Sequence, residues 1–309
     1  MGSRRVGWLK GACTMDLTLR RRFFAEEIEA LANLRSAGLV NVLATVARER
    51  FLRPGPWLIR SESDFGKLPR LTPDADPRHV YHNLGIAIDS SRDLFNGQPT
   101  VVGSWIDALA LQAGNHVLHV GCGLGYYSAL MAQMVGASGR VVAIDVDKSL
   151  AAEARANLSS RGWVDARHGT GVDLGGESFD AILVNAGMSH PHEAWLRALG
   201  PGGRLVVPLT VSMQPTIGKG LAVLISDVGR DALDARVLSM VAIYSAQGIR
   251  DEALASRLGT AMGTMLMPGQ WPALMALRRD RHEPSASCWF HGETFCLTGD
   301  LDRIVTGGR

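Results

Sequence analysis

Cysteine is scarce in this 309-residue chain, with Cys13, Cys122, Cys288 and Cys296 the whole supply. So few thiols do not make a disulfide framework; they point to a reducing compartment, and cytoplasmic is the expected location. Long apolar runs are missing too, and none approaches the length of a membrane span, so no membrane partner is expected. The basic start, MGSRRVGWLKGACT, lacks the apolar core of roughly 7 to 15 residues that a signal peptide needs. Charge of one sign is also absent. A net charge of +2 gives no reason to expect nucleic acid as a partner. The chain holds no internal repeat and no low-complexity segment.

What is present is the composition of a globular protein, 46% apolar and 20% charged, long enough to bury a full core. Residues 1–15 read as a disordered lead ahead of the sequence MDLTLRRRFFAEE, which Met15 opens. Apolar residues recur at helical spacing from Leu17 to Leu34, with Gly38 the expected stop, and a second apolar run covers Leu39 to Val46. Ser61 to His79 reads as a surface loop. Val80 to Thr100 is dense in hydrogen-bonding side chains and reads as neither helix nor clean strand. These parts, 16–100, form an expected unit of helices and substrate loop; 101–250 is the expected core, and 251–309 an extension with one helix and a hairpin turning near His291 and Gly292.

The core is organised around His116 to Asp147. It reads as a buried strand (His116 to Val120), a glycine turn (Gly121, Gly123, Gly125), a helix, a second strand and then Asp145. Glycines there let backbone approach a ligand, and a strand-end carboxylate accepts hydrogen bonds from ribose hydroxyls. A dinucleotide fingerprint needs glycine at its third site, where a pyrophosphate meets the helix. Tyr126 stands there instead, so an adenosine carrying an amino-acid tail and no phosphates fits better. The alternation continues through a helix from Ser149 to Ser160, strands at Val164 to His168 and Phe179 to Asn185, a helix from His190 to Leu199, and a strand from Arg204 to Leu209. The last two runs, Leu221 to Ser226 and Ala235 to Tyr244, have no helix between them and should pair antiparallel at one edge.

The motifs ARERFLRPGPW, NGQPTVVGSWIDALAL, VLHVGCGLGYYSALMAQ, VVAIDVD, FDAILVNAG and ALGPGGRLVVPL, between Arg20 and Tyr244, resemble the protein-L-isoaspartate O-methyltransferase family. The resemblance implies an α/β fold with a Rossmann-like seven-strand methyltransferase sheet, mostly parallel with an antiparallel edge. It implies S-adenosyl-L-methionine as cofactor and methyl-ester formation on a peptide, protein or small-molecule carboxylate by a monomer or homodimer. The cofactor residues expected on this basis are Gly121, Cys122, Gly123, Gly125, Tyr126, Asp145, Val146, Thr170, Gly171 and Asn185. Two positions depart from the family. Its serine before the conserved-pattern proline is Gly97 here, and its G-D-G is Gly169-Thr170-Gly171, with Asp173 a possible substitute acid.

A carboxylate with an ordinary pKa of about 4 is already ionised at neutral pH, so its methylation requires no general base. Donors around the acceptor are required, and Asn96, Gln98, Ser90, Ser91, Thr100, Tyr81 and His82 are the supply. A hydroxyl or amine acceptor would need a base, for which His82, Asp89, His190 and His192 are the candidates. Loss of turnover, with the fold kept as a binding module, is the alternative that Gly97 suggests. Cys288, His291 and Cys296, with His282 nearby, have a spacing, C-x-x-H-x-x-x-x-C, that matches no paired zinc-knuckle pattern; buried thiols in a hairpin are expected and no metal is assigned.

Overall fold

The computed structural model describes residues 16–61, 68–213, 216–229, 232–263 and 270–306. The expected lead, Cys13 included, lies outside them. Asp16 caps α1 (Leu17–Ala32), its carboxylate accepting from Thr18 N–H at 3.0 Å. The helix ends earlier than Gly38, at Asn33, which takes a left-handed conformation. Gly38 falls instead inside α2 (Ala37–Thr45), which Ser36 caps. Phe24, Ala25 and Ile28 of α1 and Leu39, Val42 and Leu43 of α2 are buried. They join one core with α3 (Pro99–Ala108), which begins on the proline whose fixed φ suits a first helical turn.

Between these helices the chain builds a small antiparallel sheet where the sequence suggested only loop. Its strands are β1 (Leu58–Arg60), β2 (Arg70–Leu71), β3 (Gly85–Asp89) and β4 (Leu94–Phe95), in the order β2-β1-β3-β4. A single turn of 3-10 helix at Ser90–Arg92 joins the last two.

The large sheet starts at β5 (His116–Val120), followed by α4 (Tyr126–Val135), β6 (Arg140–Asp145), α5 (Lys148–Leu158), β7 (Val164–His168) and β8 (Phe179–Val184). Then come α6 (Glu193–Ala198), β9 (Leu199–Ser212), β10 (Ile217–Ser226), β11 (Leu233–Tyr244) and α7 (Glu252–Gly263). The extension adds β12 (Gln270–Arg278), β13 (Cys288–His291) and β14 (Cys296–Thr306). Strands β5 to β9 pair in parallel, and β10 and β11 continue the sheet antiparallel, giving the seven strands expected. The extension then lengthens the same sheet to ten, in the order β13-β14-β12-β11-β10-β9-β8-β5-β6-β7, so β11 is not its edge. Helix α6 is shorter than the sequence suggested: Pro191 and His192 precede it, and His192 Nδ1 accepts from Ala194 N–H at 3.1 Å as its cap.

Strand β5 is covered on both faces, which is why its sequence shows no polar alternation. Val117 packs with α1 to α4, while Leu118 and Val120 pack with the layer holding Trp195 and Leu258. Strand order reverses on either side of β5, toward β6 and toward β8. In open α/β sheets the crevice at the carboxyl ends of the strands flanking such a reversal is where ligands bind.

Candidate functional site

A cavity of about 1140 Å³ opens at that crevice. The glycine turn forms its floor. Gly121, Gly123 and Gly125 all have positive φ, at 79°, 54° and 94°. A side chain at Gly121 would meet the Asn185 carbonyl oxygen at 3.0 Å, whereas one at Gly125 would press on Leu158 at 2.9 Å. Gly121 therefore keeps the turn against β8, and Gly125 lets α5 dock.

Asp145, at the end of β6, faces the cavity and is 7% exposed. Gly123 N–H donates to its Oδ2 at 2.8 Å and Asp147 N–H to its Oδ1 at 2.9 Å. Burial raises its pKa, and the two backbone donors act against that rise. Each oxygen keeps acceptor capacity beyond the one bond shown, the requirement for reading a diol. Val146 beside it is 39% exposed and lines the cavity with Leu150 and His168, whose Nε2 lies 3.2 Å from the Val146 carbonyl. Asn185, at the end of β8, also lines it, as do Cys122 and Tyr126. The Cys122 thiol is pushed well up by burial and by the Asp145 charge, which leaves it unreactive. Tyr126 is buried with its ring against Phe51 and under the Arg48 guanidinium, and burial pushes its phenol up to about 12.

The opposite wall is Leu94 to Gln98. Asn96 is locked to β3 twice: its N–H donates to the Ile86 carbonyl at 2.9 Å, and its Oδ1 accepts from Ile86 N–H at 2.8 Å. Gly97 accepts from the Tyr127 hydroxyl at 2.5 Å. A Cβ on Gly97 would point toward Asn185 Oδ1 and the Tyr127 ring, each 3.8 Å away, but would lie 2.4 Å from Val102 Cγ2. The missing serine is therefore coupled to the valine that packs in its place. Strand β11 forms the remaining wall through Met240 to Tyr244, continued by Ser245 to Gln247. The Ser245 Oγ is buried there with no hydrogen-bond partner. The Tyr244 hydroxyl accepts from Phe95 N–H at 3.1 Å and donates to the Asp93 carbonyl, joining the two walls. Across the mouth, Arg92 bridges Asp89 at 2.7 Å and Asp147 at 2.6 Å.

Several expected residues are placed elsewhere. Among the described residues, the cavity lining omits Ser90, Ser91, His82, His190, Thr170 and Gly171. Ser90 and His82 are exposed; exposed Ser91 donates to Asp89 at 2.6 Å. Thr100 donates to Asn83 Oδ1 at 3.0 Å, and Tyr81 is held by Arg21 and Glu49 under α1. Gly171 is a packing position: its carbonyl accepts from Trp195 Nε1 at 2.7 Å, and a side chain would strike Val120. His190 and His192 lie near each other beneath the C-terminal hairpin, where His190 stacks on Phe295. Asp89 is held down to about 2 by the Ser91 hydroxyl and Arg92, which makes it a poor base. Among the described residues none of the extension lines the cavity, whose lining ends at Gln247. Sequence reasoning missed the β11 wall, since Tyr244 and Ser245 carry no motif. It also missed Tyr127 and His168.

A family model described as Protein-L-isoaspartate(D-aspartate) O-methyltransferase (PCMT) matches residues 70–218. A protein-L-isoaspartate O-methyltransferase of Methylorubrum populi is 37% identical over 179 residues, which is 57% of this chain and 73% of that protein. A protein-L-isoaspartate O-methyltransferase 1 of Cupriavidus necator is 31% identical over 189 residues, 59% of this chain and 71% of that protein. Among solved structures, one named protein-L-isoaspartate O-methyltransferase has a TM-score of 0.59 at 18% identity, covering 91% of this chain and 88% of that one. A β-aspartate methyltransferase from Plasmodium falciparum, in complex with S-adenosyl-L-homocysteine, has a TM-score of 0.54 at 16% identity, covering 74% of this chain and 98% of that one. The two structural likenesses are likenesses of fold.

Proposed function

Because the chain belongs to the protein-L-isoaspartate O-methyltransferase family, we propose that it methylates the carboxylate of isoaspartyl residues in peptides or proteins, with the cavity beside β5 as the active site. S-adenosylmethionine, when bound, supplies a methyl group on a sulfonium, the electrophile of an in-line displacement. The residues present fit that cofactor. The positive-φ glycines leave a cradle that a side chain would fill, Asp145 can accept from ribose hydroxyls, and Val146 and Leu150 offer apolar surface to a base. The Tyr126 ring stands where a pyrophosphate would meet the helix, and the Arg48 guanidinium over it already donates to the Val80, His82 and Leu84 carbonyls.

The observation that carries the carboxylate reading is that none of the four candidate bases, His82, Asp89, His190 and His192, lines the cavity, while His168, which does, has its Nε2 3.2 Å from the Val146 carbonyl beside Asp145. An acceptor that is already an anion requires none. It requires donors and a fixed position, and positioning can supply on the order of 7 to 11 kcal/mol. Asn96, Gln98 and Asn185 bring amides to the cavity, and the β11 wall adds Ser245, whose hydroxyl is buried without a hydrogen-bond partner. In this reading Ser245 serves in place of the serine that Gly97 removes. Arg92, bridging Asp89 and Asp147, narrows the mouth and limits water. Among the described residues no helix is long and apolar enough to cross a membrane, and free thiols at Cys122, Cys288 and Cys296 suit a reducing cytoplasm.

Radiolabelled methyl transfer to an isoaspartyl peptide tests this. Base-labile label on that peptide, and none on its aspartyl counterpart, is the expected result. Base-stable label would place the methyl on oxygen or nitrogen elsewhere, and no label with the cofactor bound would leave a binding module; either outcome ends the proposal.

A further inference from the structure

Far from the cavity, four side chains converge on one face of the extension: His282, Cys288, His291 and Cys296, each offering a ligating atom within 4.8 Å of the others. The strand geometry explains how a spacing of C-x-x-H-x-x-x-x-C achieves this. In a regular strand, residues three apart point to opposite faces. Here the pairing of β13 with β14 shifts between Cys288 and Phe290, so that Cys288 faces Thr298 while His291 faces Cys296. Thr298 and Cys296 are two apart and share a face, and the bulge therefore sets Cys288 and His291 on it together. His282 arrives from the irregular connection between β12 and β13, with Nε2 3.5 Å from Cys288 Sγ.

We infer that these four residues form a structural zinc site of the Cys2His2 type. Zinc bonds of about 2.3 Å to sulfur and 2.0 to 2.1 Å to nitrogen in a tetrahedron place its ligand atoms roughly 3.3 to 3.8 Å apart. Closing the widest separation, at most 4.8 Å, to those values takes about half to three-quarters of an ångström of movement per side chain. The surroundings are those of an outer shell that fixes metal ligands. His282 Nδ1 faces the Asp280 carbonyl at 3.1 Å and its carboxylate at 3.4 Å, which leaves Nε2 as the coordinating atom. Arg278 holds that carboxylate through two bonds, at 2.9 and 2.5 Å. Ser285 N–H donates to Cys288 Sγ at 3.3 Å, the support a thiolate ligand receives. The His291 Nδ1 is buried with no hydrogen-bond partner. Cys296 is fully buried, and the other three are partly so, which makes a closed site with no position for substrate.

The site ties a connection that has no regular structure, residues 279–287, to the β13–β14 hairpin. Binding is expected to release the thiol protons and to stabilise the extension, since the unfolded chain offers no preformed site. The test is metal content of the full-length protein purified under reducing conditions without chelator. About one zinc per chain is expected by elemental analysis. Replacement by cobalt should give the visible bands of a tetrahedral site together with sulfur-to-cobalt charge transfer. His282→Gln, on a surface connection, and Cys296→Ser should each lower zinc from about one per chain toward zero, with S-adenosylmethionine binding showing that the His282→Gln protein is folded. Folded wild-type protein with less than about one-fifth equivalent of zinc and no cobalt bands would overturn the inference. So would a Cys288–Cys296 disulfide in protein kept from oxidant.

Discussion

Asp145 is held by two backbone donors yet buried enough that its pKa lies above the ordinary carboxylate value of about 4. In the proposed role of Asp145, only the ionised form would accept from both ribose hydroxyls. Cofactor affinity should therefore weaken on acidification at a pH above that ordinary value. Asp145→Asn keeps the shape, removes the charge, and should weaken binding on the order of 100-fold at neutral pH with little pH dependence left. Calorimetric titration at several pH values checks both; a variant that binds as tightly as wild type would refute the role of Asp145. The placement of this residue and of the glycines at the cavity was legible in the sequence, because backbone conformation at a strand end sets it. Of the upstream donors, Asn96 and Gln98 line the cavity as expected and the others do not. Composition gives a side chain's hydrogen-bonding capacity but not its direction, and Ser91, Thr100 and Tyr81 spend theirs on Asp89, Asn83 and Glu49.

Among elements, the 3-10 turn at Arg48–Phe51 matters beyond its length. Arg48 is completely buried and donates to three carbonyls in the next segment: Val80 at 2.8 Å, His82 at 3.1 Å and Leu84 at 2.8 Å. Its guanidinium also lies 5.6 Å from the Tyr126 ring centroid, so one side chain joins the start of the segment before α3 to α4, the helix after the glycine turn. Arg48→Met keeps the apolar stem but leaves those carbonyls without their donor, a loss of about 3 kcal/mol or more from groups worth ~1 to 3 kcal/mol each. Urea unfolding measures it, and a change under ~1 kcal/mol would show that water or repacking replaces the guanidinium. The long parallel strands and their helices were readable from periodicity. The small sheet was not, because β2 and β4 have two residues each and no period to read. Asn96, not an apolar pattern, sets the β3–β4 pairing from its side chain.

At the scale of the whole molecule, stability and acid response meet in the central strand. His119 of β5 is fully buried, its Nδ1 2.7 Å from the Ser128 hydroxyl and its Nε2 without a partner; burial lowers its pKa to about 3. The unfolded histidine titrates near 6.5. Between those values the unfolded chain binds a proton that the folded chain refuses, so stability falls as pH drops from about 6.5 toward 3. One such group changes stability by ~1.4 kcal/mol per pH unit, or about 2 kcal/mol between pH 7 and 5. His119→Gln should flatten that difference in urea unfolding at the two pH values, and an unchanged slope would assign acid sensitivity to other groups. The ten-strand sheet itself could not be foreseen, since the pairing of β11 with β12 rests on Leu233–Leu277 and Asp234–Ala276, contacts between segments that share no motif. That seam sits at one end of β11, and Tyr244 in the cavity sits at the other, roughly 35 Å away at the rise of an extended strand. A strand common to both places sets the condition for thermodynamic linkage: a ligand that binds only where β11 is ordered at the cavity raises the free energy of any opening of the seam that also disorders β11.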